Sequence, residues 1–274
     1  MSGPENDEPN KTTSSAEVNR HLDRLAEAHS ICILHAANPH LLVQGTAAVG
    51  GLPTSRFVFV RSIEHYLSLF PRDEQLEDEG IDPTDILGWD LRKALIATLQ
   101  GDPTALEWLR IEPCDLSLPG FRDRFVDFAL EHGDSVRFAL SHLNRLMWFH
   151  RRYKGHPQGE MVPEKIIALL RPALSLRWYS QHKLEGLPPA QLRGLLDDVF
   201  IRPVLRGEIM ELLDRQKNGE LKDLEQIPPA IGELLLAEIE AGPALATRKK
   251  RPFTRHIMQE ADRFFLKWAV AGKG

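Results

Sequence analysis

The sequence predicts an α+β protein, with a small α/β unit of about 100 residues followed by an all-helical half. Two observations carry that expectation. The strand-like runs lie only in the first part of the chain, the clearest being Arg56-Phe57-Val58-Phe59-Val60-Arg61, β-branched and aromatic with charged ends. From Phe121 onward the apolar residues recur at helical spacing, with Gly- and Pro-rich joints between segments. The 274 residues are 42% hydrophobic and 27% charged, which suits a soluble chain with a substantial core. No internal repeat is present.

Taken in order, residues 1–15 are polar and are expected to form a disordered tail. Val18, Leu22, Leu25 and Ala28 then recur at helical spacing. Ile31, Ile33 and Leu34 mark a short buried strand. Residues 38–55 are low in charge and carry Pro39, Gly45, Gly50, Gly51 and Pro53, which reads as a loop. After the strand at 56–61, Ser62 is placed to cap a helix through Ile63, Tyr66, Leu67 and Phe70. A further strand is expected near Ile81–Leu87 and a helix over Asp90–Gln100. Asp102-Pro103 opens the next helix, through Ala105, Leu106, Trp108 and Leu109. Helices are then predicted at 121–132, 134–153, 163–181, 189–199, 203–217, 229–241 and 252–270, with Gly242-Pro243 read as one of the joints. The expected organisation is a tail over 1–15, an α/β domain over 16–115 and a helical domain over 116–274.

Several function classes are excluded. No run approaches 18 apolar residues, so no transmembrane helix is expected. The start, Met1-Ser2-Gly3-Pro4-Glu5, has no basic or apolar leader character, and Cys32 and Cys114 are the two cysteines. A disulfide framework is therefore not expected, and the expected setting is a reducing cytoplasm. There is no Gly-x-Ser-x-Gly elbow, no Walker lysine and no Gly-x-Gly-x-x-Gly. His35 and His40 flank Asn38-Pro39, but no third ligand follows at metal-binding spacing, so no metal site is expected from them. Net charge is −5 but uneven. Residues 72–90 are acidic, whereas 137–183 and the run Arg248-Lys249-Lys250-Arg251 are basic, which permits a local anionic ligand. The segment Arg251–Val270 is amphipathic and reads as a closing helix packed on the helical half.

Certain motifs, taken together, resemble a bacterial family of predicted nucleotidyltransferases in the DNA-polymerase-beta superfamily, the RNA-ligase-associated or RlaP-like type. They are the strand at 56–61 leading into His65-Tyr66-Leu67-Ser68-Leu69, then Gly88-Trp89-Asp90-Leu91-Arg92-Lys93-Ala94-Leu95, then Pro103-Thr104-Ala105-Leu106-Glu107-Trp108-Leu109. Lys165, Leu170-Arg171-Pro172-Ala173-Leu174, Arg177-Trp178 and Leu187-Pro188-Pro189 continue the match. The Gly-Trp-Asp-Leu-Arg-Lys run is the most specific of them. The resemblance implies a nucleotidyltransferase-like α/β domain followed by a helical C-terminal domain, and a setting in RNA processing or repair.

The resemblance also locates a departure. Family members carry Gly-Ser after the first strand and Asp-x-Asp at the start of the second, to close on a triphosphate and to hold two divalent cations for in-line attack. Aligned without a gap, the Gly-Ser position is His40-Leu41, and the two aspartate positions are Leu52 and Thr54. The later carboxylate carries over as Asp85. One carboxylate does not build a two-metal site, and leucine supplies no oxygen.

The resulting expectation is a pseudoenzyme: a nucleotidyltransferase fold that binds nucleotide or RNA, or serves a protein partner, with no membrane role. Asp85 is the candidate catalytic residue, and Arg92, Lys93, Lys165, Arg171 and Arg177 are candidate phosphate contacts. Mg²⁺ is expected only if an active site survives. Arg171 and Arg177 are six residues apart, about 240° net around a helix, so they occupy different faces. Their structural alternative is ion pairing to the acidic 73–90 segment, while Trp89 and Trp108 read as core residues on helix faces. Two other readings stay open. One is an active enzyme whose site is rebuilt with another carboxylate such as Glu64, and the other is a structural or interaction module.

Overall fold

The computed structural model describes residues 15–37, 54–70, 73–77, 85–111, 116–153, 163–218, 220 and 227–271. Residues 1–14 of the expected tail at 1–15 lie outside these residues, Ser15 opening the first helix, and so does most of the expected loop at 38–55. The fold is α+β. Its sheet is built from β1 (Ile31–Ala37), β2 (Thr54–Arg61), β3 (Gln75–Glu77) and β4 (Asp85–Asp90), in the order β1-β2-β4-β3. β1 and β2 are antiparallel, β2 and β4 parallel, and β3 and β4 antiparallel. The first pairing shifts register between Ile33 and His35.

One face of the sheet is covered by α1 (Ser15–His29), whose Val18, Leu22 and Leu25 are spaced at i, i+4 and i+7. They pack on Ile33, Ala36, Phe57, Phe59, Leu76 and Ile86. The other face presents Leu34, Val58, Val60 and Trp89 to the helices. The free edge of β1 is covered by residues 117–118: Ser117 Oγ accepts the Ala36 N–H at 3.0 Å, and the Leu118 N–H donates to the Leu34 carbonyl at 2.9 Å. Covering that edge removes a template for pairing with other chains.

Beyond the sheet lie α2 (Ile63–Tyr66), α3 (Leu91–Gln100), α4 (Thr104–Leu109), α5 (Phe121–His132), α6 (Ser135–Tyr153) and α7 (Pro163–Gln181). They are followed by α8 (Leu192–Asp198), α9 (Pro203–Lys217), α10 (Pro229–Ala246) and α11 (Arg255–Ala271). Asp90 caps α3 by accepting the Arg92 N–H at 2.8 Å, and Gly101, at φ 95°, closes it in the left-handed region. The Ser62 side chain caps α2 as expected.

Several elements differ from the sequence reading. The helix after Ser62 stops at Tyr66, leaving Leu67, Leu69 and Phe70 exposed. Pro71 disfavours a helical Phe70 and so shortens it. The second strand of the parallel pair runs to Asp90, so Trp89 sits on a strand and not on a helix. There Val58 is its partner on β2. The short strand β3 was not expected. Gly242-Pro243 is not a joint, because α10 continues through it to Ala246. Its close packing keeps it helical: a Cβ at Gly242 would lie 2.6 Å from Leu143 Cδ2. Finally, α11 returns past α5 to touch β2 and α3. Its Phe264 and Trp268 rings pack on Phe121, and Phe265 meets Tyr66 edge-on at 4.9 Å.

The glycine of the Gly-Trp-Asp run has a steric reason. Gly88 is the backbone partner of Phe57, and a Cβ there would lie 2.2 Å from Phe57 Cζ, in a ring with no exposure. Gly88→Ala therefore overpacks the sheet. We expect it to lower unfolding stability by about 1–3 kcal/mol, read as a shifted urea midpoint at unchanged slope.

Candidate functional site at the sheet end and the buried charges behind it

The parallel pairing of β2 with β4 places Thr54 beside Asp85, then Ser55 beside Ile86 and Arg56 beside Leu87. Ala37, the last residue of β1, pairs with Arg56. The end of β1 and the starts of β2 and β4 therefore meet at one end of the sheet. Segment 38–53, with His40, Leu41 and Leu52, leaves and re-enters the sheet there but lies outside the described residues. At the backbone level, Thr54, which the resemblance aligns with the family's second aspartate, is paired with Asp85. Of the three positions that the resemblance aligns with the family's carboxylates, Leu52, Thr54 and Asp85, one carries a carboxylate, and one carboxylate does not fit a two-cation centre.

Arg92 and Lys93 lie elsewhere, at the start of α3. The Arg92 guanidinium stacks over Tyr66 at 4.9 Å and Phe265 at 5.7 Å, and its Nη1 lies 3.8 Å from Glu74. Lys93 donates to Gln75 Oε1 at 2.6 Å and sits over the Trp89 ring. Behind Arg92, the Tyr66 hydroxyl donates to Asp90 Oδ2 at 2.8 Å and accepts the Arg61 N–H at 3.0 Å. Burial raises the Tyr66 hydroxyl well above its ordinary range, and the Asp90 charge adds to that. Burial likewise lifts Asp90, although its two hydrogen bonds pull the other way.

Arg171 is buried between α4 and α7. Its Nη2 lies 3.3 Å from Glu107 Oε1, and its Nη1 donates to the Pro189 and Ala190 carbonyls. Glu107 also pairs with Arg145 Nη1 at 3.7 Å, while Arg110 donates to the Pro188 carbonyl at 2.6 Å. Burial pushes the Glu107 carboxyl up, and the Arg171, His142 and Arg145 charges more than reverse it, holding it below the ordinary carboxylate range. Arg177 instead meets Glu238 of α10 at 2.6 Å. The ion pairs of Arg171 and Arg177 are thus made within the helices and not with the 73–90 segment, which takes Arg92. Lys165 lies in α7, with its side chain outside the described residues.

The candidate residues therefore occupy separate places: Asp85 at the sheet end, Arg92 and Lys93 by β3, Arg171 in the core and Arg177 against α10. The sequence expectation assigns no role to Glu107. Its signal was available, as an acid inside the apolar run Ala105-Leu106-Glu107-Trp108-Leu109. Removing it by Glu107→Ala leaves Arg171 buried without its counter-charge. We expect a loss of about 3–5 kcal/mol in denaturant unfolding, with Arg145→Ala far milder because Arg145 is exposed.

Burial disfavours the charged forms of two histidines. His35 Nε2 lies 3.2 Å from the Trp108 carbonyl, and burial draws it from 6.5 to about 4. Burial draws His142 to about 3, with Glu107 opposing and Arg171 and Arg145 reinforcing. Both folded values lie below the unfolded one, so the unfolded chain binds more protons in between. Their contribution is complete above about pH 6.5 and is lost as pH falls toward 4 and then 3. Urea unfolding at pH 7, 6 and 5 is expected to show stability falling by up to about 1.4 kcal/mol per pH unit for each histidine, with a shallower slope in His35→Leu.

Comparison with known proteins now bears on this arrangement. The model of the RNA repair pathway DNA polymerase beta family, RlaP, matches residues 15–267. The uncharacterized protein YcgL of Bacillus subtilis (strain 168) is 26% identical over 226 residues, covering 80% of this chain and 83% of its own length. The match takes in the whole described sheet and nearly all the helices after it. This chain belongs to the RNA repair pathway DNA polymerase beta family.

Proposed function

We propose that this protein has kept the nucleotidyltransferase scaffold and lost metal-dependent nucleotide transfer, and that it binds a nucleotide or RNA or serves a partner. The observation that supports this most is the pairing of Thr54 with Asp85. At the place where the resemblance calls for a second carboxylate, the chain offers a hydroxyl, and Leu52 offers no donor. A two-cation centre orients attacking and leaving oxygens through shared carboxylates, so a lone carboxylate leaves in-line transfer without its clamp. Asp85 is then a contact for a ribose hydroxyl or a single cation. Of the basic candidates, Arg92 and Lys93 are half-exposed at the start of α3, whereas Arg171 is held inside the core.

A rebuilt site using Glu64 has geometry against it. Glu64 follows the far end of β2, and Thr54 and Arg61 are seven residues apart on that strand, roughly 23 Å at strand rise. The experiment incubates the purified protein with each labelled nucleoside triphosphate, Mg²⁺ or Mn²⁺, and pooled small RNA. The native chain is expected to transfer no label, and the double variant Leu52→Asp, Thr54→Asp to gain transfer that Asp85→Ala then removes. Metal-dependent transfer by the native protein, abolished by Asp85→Ala, would overturn the proposal.

A further inference from the structure

Two cavities lie side by side on the helical half, and none of their lining residues belongs to the sheet, α3 or α4. The larger, about 650 Å³, opens between α6, α7 and α10, with Leu176, Ala241 and Leu245 in its walls and Lys183 and Arg248 among its polar lining. The smaller, about 540 Å³, lies against Phe138 and Leu187, beside Lys249, Lys250 and Arg251. Leu184 lines both. The basic run Arg248–Arg251, which the sheet end does not use, therefore passes from one cavity to the next.

Most of the negative charge in these linings is already engaged. Asp134 accepts the Val136, Arg137 and Arg251 N–H groups, and Glu238 holds Arg177. The Arg251 guanidinium donates to the Glu131 carbonyl. Among the described residues, Lys183, Arg248, Lys249 and Lys250 have no carboxylate partner, and Glu185 is the one lining acid not so engaged. Local charge at the two mouths is thus positive on a chain whose net charge is −5.

The backbone supplies an independent observation. α7 ends with the Leu184 N–H donating to the Tyr179 carbonyl at 2.8 Å, which is the long bond of a Schellman turn. Its left-handed position, usually glycine, is Lys183 at φ 54°, and Leu184 follows at φ 65°. Side chains rarely adopt this conformation, and two in succession concentrate strain in one turn. The strained pair places a cation at the larger cavity and an apolar side chain between the two cavities.

We propose that these cavities and the 248–251 run form a binding site for an unpaired nucleic-acid strand. Its phosphates lie along Lys183, Arg248, Lys249 and Lys250, and successive bases enter the two recesses. A polyanion with apolar planar bodies at intervals matches a row of cations beside adjoining apolar-walled cavities. A duplex keeps its bases stacked, and an acidic peptide has nothing planar to insert. The proposal is independent of whether Asp85 retains any chemistry.

The test is fluorescence anisotropy on the full chain with labelled 12-nucleotide oligouridine, the matching oligothymidine, a 12-base-pair duplex and a glutamate 12-mer. Both single strands are expected to bind, and the ratio of their affinities identifies RNA or DNA as the source. The slope of log affinity against log salt is expected near −3, about 0.7 per phosphate for four contacts. Lys249→Glu with Lys250→Glu should weaken strand binding at least about tenfold. Lys183→Gly is the decisive variant: relief of the left-handed residue should raise the thermal midpoint while binding weakens severalfold. A merely structural lysine gives the first change without the second. Absent strand binding, equal binding of duplex or glutamate peptide, or full binding by both variants would overturn the proposal.

Discussion

The fold depends on the contact between Phe57 and Gly88. Parallel strands exchange evenly spaced hydrogen bonds, so the backbone alone says little about which residue faces which. Only a glycine leaves room for the buried Phe57 ring, and this selects one register out of several. A slip of one residue would turn every side chain of β4 to the opposite face. With the register held, Trp89 reaches Trp108 at 4.9 Å, and Asp90 stands at the end of its strand where it caps α3. The same register brings Asp85 beside Thr54 at the other end. A steric constraint in mid-sheet thus decides the composition of the candidate site.

Much of this was legible in the sequence, for identifiable reasons. α5, α7 and α9 follow the sequence expectation closely because Gly or Pro marks their limits: Gly120 and Gly133 flank α5, and Pro163 and Pro203 open α7 and α9. β2 was legible from its dense β-branched and aromatic core. β3 was not, since Gln75-Leu76-Glu77 is too short to show alternation and exists by pairing with β4. Gly242-Pro243 misled for the opposite reason: local punctuation was strong, and packing against Leu143 outweighed it. At the site, the departures at Leu52 and Thr54 were visible through the resemblance. The engagement of Arg171 was not, because its counter-charge comes from another helix and sequence spacing does not encode contacts between helices.

The positions that keep to the family pattern and those that leave it differ in what they do here. Gly88 accommodates Phe57, Asp90 caps a helix, Glu107 and Arg171 neutralise each other in the core, and Trp108 packs on Trp89. Each contributes packing, a cap or a counter-charge whether or not a reaction takes place. Buried pairs such as Glu107–Arg171 add little net stability against an apolar replacement, but losing one partner is costly, so they resist piecemeal change. Leu52 lies outside the described residues, and Thr54 is described by its backbone pairing with Asp85.

Charge at the sheet end supports the same reading. Clustered carboxylates repel one another and repel phosphates, so a site that carries them needs divalent cations both to fold quietly and to accept a triphosphate. Among the three aligned positions only Asp85 carries a charge, so repulsion between those positions is absent, although Glu77, Asp78, Glu79 and Asp82 precede it in the chain. The hydroxyl of threonine adds a hydrogen-bonding group without charge. An anionic ligand approaching this end meets less opposition without a cation than it would in the two-carboxylate arrangement. If the metal clamp is lost as proposed, the means of transfer goes with it while metal-free binding becomes easier. On electrostatic grounds, such a sheet end would suit holding a nucleotide better than transferring one.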